Sequence, residues 1–115
     1  MIKTGHLFDK HHPDLYKKWV VGDFVKDPDF NNDNFEFKFQ QEAKGLRREP
    51  KSVQDSHTTT LAILIDGHVH MKFGEQDKYM CERGDYVWWN PDTPHLFEYL
   101  EDSLVVTLRW KNNKT

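Results

Sequence analysis

A single cysteine among 115 residues, Cys81, excludes an intrachain disulfide and fits a reducing compartment. No apolar run approaches the eighteen or so residues that a membrane-crossing helix needs, so no membrane partner is expected. The opening residues, Met1 to His6, lack the apolar stretch of a secretory signal, which makes the cytoplasm the expected location. Basic residues form no stripe: 16 Lys and Arg are interspersed with 19 Asp and Glu, for a net charge of −3. Without a basic face to displace phosphate counterions, a nucleic-acid partner is not expected. The chain also has no phosphate loop, no nucleotide fingerprint and no ordered Ser-His-Asp set. Internal repeats and low-complexity linkers are absent too, and this length suits one core and not two.

Aromatic residues are what the chain has in quantity. They make up 14% of it, including eight Phe and four Trp, enough large rings to anchor a core despite 30% charged residues. Residues 1–18 read as a polar, His-rich arm. His12-Pro13-Asp14 can start one helical turn, and Leu7, Phe8, Leu15, Tyr16 and Trp19 can tie the arm down. From residue 19 to 115 the pattern is of short strands between turn signals. Trp19 to Val25 is β-rich, and Asp27-Pro28-Asp29 with Asn31 to Asn34 follows as a loop. Phe35 to Gln40 alternates with period two, three Phe against three polar residues, as in a half-buried strand. Arg47 to Lys51 reads as a charged loop. Thr58 to Ile65 runs into the Asp66-Gly67 turn, and His68 to Phe73, Lys78 to Cys81, Asp85 to Trp89, His95 to Leu100 and Leu104 to Trp110 complete the strands. Eight or nine short strands with almost no helix predict an all-β sandwich or barrel.

The segment Gly84-Asp85-Tyr86-Val87-Trp88-Trp89-Asn90-Pro91-Asp92-Thr93-Pro94-His95 carries more than a fold class. Gly84-Asp85 permits a tight entry turn, and Pro91 and Pro94 stiffen the return by fixing φ. A strand resumed at His95 points His95, Phe97 and Tyr99 to one face and Leu96, Glu98 and Leu100 to the other. This segment resembles the second conserved motif of the cupin family, matching at Gly84, Asp85, Pro91, Pro94 and His95. It departs at Asp92, where the family usually has Gly, and at Tyr99, where Asn is common. The resemblance spans roughly residues 54–108. It extends to a subset of small single-domain bacterial proteins through Trp19 to Phe24, Phe35 to Phe39 and Glu101 to Trp110. It implies a cupin-like double-stranded β-helix, the jelly-roll barrel, with a short N-terminal arm and a homodimeric assembly.

The family's first motif supplies a His pair and a Glu as metal ligands, joined by the His of the second motif. Counted back from Gly67, those positions fall here on Gln54, Ser56 and Thr60, so His95 alone matches. One imidazole with neutral amide and hydroxyl groups is a poor transition-metal site. No cofactor is therefore predicted, and His57 with His95 are the residual metal candidates, should a bulge turn His57 inward. The same neutral groups suit a polar organic ligand, giving His95, Gln54, Ser56, Thr60, Phe97 and Tyr99 as the expected lining.

Other residues have blander readings. His68 and His70 have metal-ligand spacing but alternate against Val69, Met71 and Phe73, the apparent buried set, so solvent or an interface is their expected place. One of Trp88 and Trp89 should face inward and leave the other needing a cover. Arg109 is expected to pair with a carboxylate such as Glu36 or Glu98, and Cys81 to be a small strand residue. Three functions remain open. The first is a barrel that binds a small polar molecule. The second is a cupin-like enzyme, metal-dependent or an isomerase or epimerase using His95 as acid–base with Tyr99 or His57 as partner. The third is a structural dimer whose interior is plugged by Phe37, Phe39, Phe97 and a Trp.

Overall fold

Period-two alternation in the sequence becomes nine strands in the computed structural model, which describes residues 1–7, 19–49, 58–90 and 95–111. These are β1 (Trp19–Val21), β2 (Phe35–Glu42), β3 (Arg47–Arg48), β4 (Thr58–Asp66), β5 (Val69–Phe73), β6 (Gln76–Met80), β7 (Tyr86–Trp89), β8 (Leu96–Tyr99) and β9 (Ser103–Lys111). They form two antiparallel sheets, one ordered β1-β2-β9-β4-β7 and one ordered β3-β8-β5-β6. The architecture is the expected all-β jelly-roll barrel. No helix among the described residues is long and apolar enough to cross a membrane.

Turns fix where the sheets meet. Gly67 has φ of +112°, and a Cβ there would collide with the Ser103 side chain and the Asp102 carbonyl. Only glycine fits both constraints. Ser103 then ties the corner: its hydroxyl donates to the Glu101 carbonyl at 2.7 Å and accepts the His68 N–H at 3.1 Å. The Gly84-Asp85 turn works as expected. Gly84 adopts φ of +94°, and Asp85 Oδ2 accepts the N–H groups of Cys81 and Glu82 at 2.9 Å each. Those two bonds favour the ionised form and hold the Asp85 carboxyl below its usual pKa. The loop after β1 is held by Asn31, whose amide donates to the carbonyls of Asp23 and Val25. Lys3 reaches the same loop and pairs with Asp27 and Asp29 at 2.7 Å each.

The core gathers at the end where β4 turns into β5. Ala62, Leu64, Val69, Met71, Met80, Trp89, Tyr99 and Val105 are buried together, with Phe73, Val87 and Phe97 packed against them. Burying a large side chain of this kind stabilises by about 1.5–3 kcal/mol.

Three details differ from the sequence reading. The first strand stops at Val21, because Gly22 through Asn32 closes a loop with backbone bonds from Gly22 to Phe30 and from Asn32 to Gly22. Arg48 lies on a short strand opposite Phe97 and not in a free loop, and its guanidinium meets Glu42 at 3.0 Å. The largest difference concerns β2. Its polar residues, not its phenylalanines, face the barrel interior: Gln40 and Glu42 are buried, while Phe35 is exposed and Phe37 and Phe39 are half-buried. Hydrogen bonding decides this orientation. Gln40 Nε2 donates to Tyr99 Oη at 3.3 Å across the two sheets, and Gln40 Oε1 accepts from Thr107 at 2.8 Å. An interior plugged by Phe37 and Phe39 is thereby excluded.

Candidate functional site

Side chains directly opposite in antiparallel strands share a face, so the register writes out the inner wall row by row. The first row is Gln40, Val105 and Leu64; the second is Lys38, Thr107, Ala62 and Val87. The third is Glu36, Arg109, Thr60 and Trp89. Moving from the first row to the third, the wall changes from a closed apolar core to a charged and hydroxylated surface. Trp19 joins from β1, opposite Lys38.

This polar end holds an ion pair and two cation–π contacts. Arg109 Nη1 stands 3.1 Å from Glu36 Oε2, one of the two carboxylates offered as its partner by the sequence, and the two side chains retain 34% and 25% of their exposure. Lys38 Nζ lies 5.3 Å and Arg109 Cζ 5.6 Å from the Trp19 ring centroid, so both cations sit against one indole.

The facing sheet brings His95 to the same end. Its ring lies 4.9 Å from Trp89, 5.5 Å from Phe97 and 6.0 Å from Phe73, within an aromatic cluster that adjoins the core. The His95 imidazole therefore faces inward, as the alternation of His95, Phe97 and Tyr99 requires; the two prolines before it lie outside the described residues. Trp89 faces the interior at 8% exposure and Trp88 faces out at 49%, which divides the pair as anticipated.

The other expected lining residues take different places. Thr60 is buried on the third row beside Arg109 and Trp89, and Phe97 is half-buried between His95 and Tyr99. Gln54, Ser56 and His57 lie outside the described residues. Tyr99 belongs to the core. Burial first, and the nearby Glu42 carboxylate second, push its phenol up to about 12, so it stays protonated at neutral pH. Four residues of strand separate it from His95, roughly 13 Å at the usual rise. Its ring stacks on Phe97 at 6.3 Å, which places Phe97 between them.

His68 and His70 point away from Val69 and Met71, as the alternation required. His70 Nε2 lies 2.7 Å from Asp77 and its ring stacks on Tyr79 at 4.8 Å. Cys81 is exposed just after β6. Trp19, Glu36, Lys38 and Gln40 of the polar wall were not singled out as site residues by the sequence. For Lys38 and Gln40 the signal was the alternation of β2, which reads equally well with either face inward.

Of the three positions that the resemblance aligned with the family's first-motif ligands, only Thr60 lies among the described residues, and it offers a neutral hydroxyl. Among the described residues no group of three or more His, Cys, Asp or Glu side chains is arranged to hold a metal ion.

No protein-family model and no curated protein matches the chain. Solved structures do. An RmlC-like cupin protein from Desulfovibrio desulfuricans superposes with a TM-score of 0.58 at 16% identity, over 69% of this chain and 74% of the other. The Cupin_2 domain of an XRE-family transcriptional regulator from Enterobacter cloacae gives 0.57 at 16% identity, over 71% and 84%. KdgF from a Halomonas species gives 0.60 at 17% identity, over 71% and 74%. At these identities the likeness establishes a cupin-like fold and leaves the chemistry to the site.

Proposed function

We propose that this cupin-like barrel binds a small polar organic molecule at the end of its interior where His95, Thr60 and the third row meet. The observation that carries the reading is the polar inner wall. A barrel built only for stability would fill that position with apolar side chains, whereas here Glu36, Lys38, Thr60 and Arg109 project inward. His95, Thr60 and Phe97 are the described residues proposed to line the site, with Gln54 and Ser56 beside them on the family register. Tyr99 supports the site from the core and does not touch the ligand. An acid–base enzyme needs a second titratable group within proton reach of His95, and Tyr99 is too distant and too weak an acid to supply it.

Two measurements test this. Elemental analysis of the purified protein should find no stoichiometric transition metal; one tightly bound ion per chain would overturn the reading. A small-molecule screen followed by ¹H–¹⁵N spectra should move the signals of Thr60, Trp89 and His95, and Thr60→Ile should suppress the response by filling the wall. Hits whose shifts map only to the outer surface would also count against it.

The partner proposed for the outer face of the five-stranded sheet is a second copy of the chain. Its rows read Phe35, Trp110 and Thr59; Phe37, Leu108, Leu61 and Trp88; Phe39, Val106, Ile63 and Tyr86. None of these residues is charged, in a chain of which 30% is. The four strands that supply these three rows present roughly 400 Å². Two such faces would bury about 800 Å² in all, the size of a weak, reversible interface. An uncharged apolar patch is complementary to itself, as a two-fold interface requires. Sedimentation should show a dimer for the wild type and a monomer for Leu61→Glu, and a wild-type monomer at micromolar concentration would sink the idea.

A further inference from the structure

Residues 1–7 belong to neither sheet and are all exposed; Ile2 keeps 90% of its surface and Leu7 40%, so apolar burial does little to hold them. Lys3 ties the segment to the barrel by charge. Its Nζ lies 2.9 Å from Asp27 Oδ1, 2.7 Å from Asp27 Oδ2 and 2.7 Å from Asp29 Oδ2, with the Phe30 ring centroid at 5.5 Å. Hydrogen bonds to Asp27 and then to Asp29 hold its amine above the ordinary lysine pKa, so it is charged at neutral pH.

The loop itself builds the seat for that ammonium. Asp27 Oδ1 also accepts the Asp29 N–H at 3.0 Å, which keeps the two carboxyls close, and the Phe30 N–H closes on the Asp27 carbonyl at 3.0 Å. At its base the loop is pinned by Gly22, whose N–H donates to the Phe30 carbonyl and whose carbonyl accepts the Asn32 N–H, both at 3.1 Å. It leads from β1, where Trp19 meets Phe24 edge-on at 5.6 Å, to the start of β2, where the Asn34 carbonyl accepts the Lys111 N–H. That is the end of the barrel where Glu36, Arg109 and Thr60 share a row. Exposed ion pairs are individually weak and are screened by salt. A segment held through them can leave and return while the sheets stay folded.

We infer that residues 1–7 form an ionically latched strap: Lys3 docks between Asp27 and Asp29, and its release loosens the 22–34 loop at the end of the barrel where Trp19 lies. The device answers to ionic strength and to the charge on residue 3. It goes beyond the binding proposal and does not depend on it, since no step requires a ligand.

Backbone ¹⁵N relaxation reads the latch directly. In the wild type at about 0.05 M salt, residues 3–6 should show the restricted amide motion of a held segment, and Lys3→Gln should free them. Lys3→Arg should keep the latch, because a guanidinium also pairs with carboxylates. Raising salt to about 0.5 M should free the segment in the wild type and change little in Lys3→Gln. On release, the amides of Phe30 and Asn32 should exchange with solvent roughly three- to tenfold faster, the scale of two exposed ion pairs, and the Trp19 indole N–H should shift.

Equal motion of residues 3–6 in the wild type and in Lys3→Gln at low salt would overturn the latch. Release of the segment with no response at Phe30, Asn32 and Trp19 would overturn the inference too, because the loop would then be rigid without its strap. Lys3 lies outside both sheets, so the variants should keep the barrel folded, which the remaining amide signals verify.

Discussion

Away from the apolar core, toward Glu36 and Arg109, the two faces of the five-stranded sheet are chemically inverted relative to a sheet that packs on a core. Its outer face presents Phe37, Phe39, Leu61, Ile63, Val106 and Leu108, while its inner face presents Glu36, Lys38, Gln40, Thr60 and Arg109. The opposing sheet behaves normally, with Val69, Met71, Met80 and Tyr99 inward and His70, Lys72 and Tyr79 outward. The contrast teaches that the apolar material here has two destinations. Part of it closes one end of the barrel, and the rest lies on the outer face, where Phe37, Phe39, Leu61, Ile63, Val106 and Leu108 are half-buried. Polar residues inside the barrel are retained at a cost to stability, which fits the ligand site proposed above.

The largest test of that contrast compares two aromatic truncations. Tyr99→Ala, inside, should lower unfolding free energy by about 3–5 kcal/mol through the cavity it leaves. Trp88→Ala, outside, should change the stability of an isolated chain by about 0.5 kcal/mol or less while weakening self-association. Urea unfolding at low protein concentration reads the first, and sedimentation reads the second. Equal losses in urea would mean that the outer face is core after all.

A second test uses alkali. The folded Tyr99 phenol titrates near 12, against 10.0 for the unperturbed group. Because the folded value is raised, its contribution is complete below pH 10 and disappears as pH climbs toward 12. The loss should be of order 2–3 kcal/mol. Urea midpoints measured across that range should fall more steeply for the wild type than for Tyr99→Phe. Parallel slopes would mean that the hydroxyl is open to water.

The smallest effect is the most diagnostic. Lys38→Met replaces an inner-face cation with an apolar chain of similar length, and stability should stay within about 1 kcal/mol of the wild type or rise. A fall of several kcal/mol, read by thermal or urea unfolding, would recast Lys38 as a structural residue.

Much of the barrel was legible in local pattern. The Asp66-Gly67 corner, the Gly84-Asp85 turn and the His95-Phe97-Tyr99 face all follow from backbone restrictions and strand period, which act within a few residues. A carboxylate partner for Arg109 was also anticipated, since an arginine flanked by Leu108 and Trp110 needs one, but the choice of Glu36 over Glu98 came from the strand register. What could not be read was the facing of β2. Phe35 to Gln40 supplies two complete faces, and the alternation alone does not say which is enclosed. Trp19 was foreseen as a packing residue, but its place between Lys38 and Arg109 depends on pairing across 19 residues in one direction and 90 in the other.

By itself, then, the sequence determined an all-β jelly roll and the shared face of His95, Phe97 and Tyr99, because turn chemistry and alternation are local properties. Only the tertiary structure decided that charge lines the barrel and that Phe37, Phe39 and Trp110 lie outside it. A strand's period fixes which residues travel together. Which of its two faces is enclosed depends on the partners that close the barrel, here on Gln40 reaching Tyr99 in the opposite sheet.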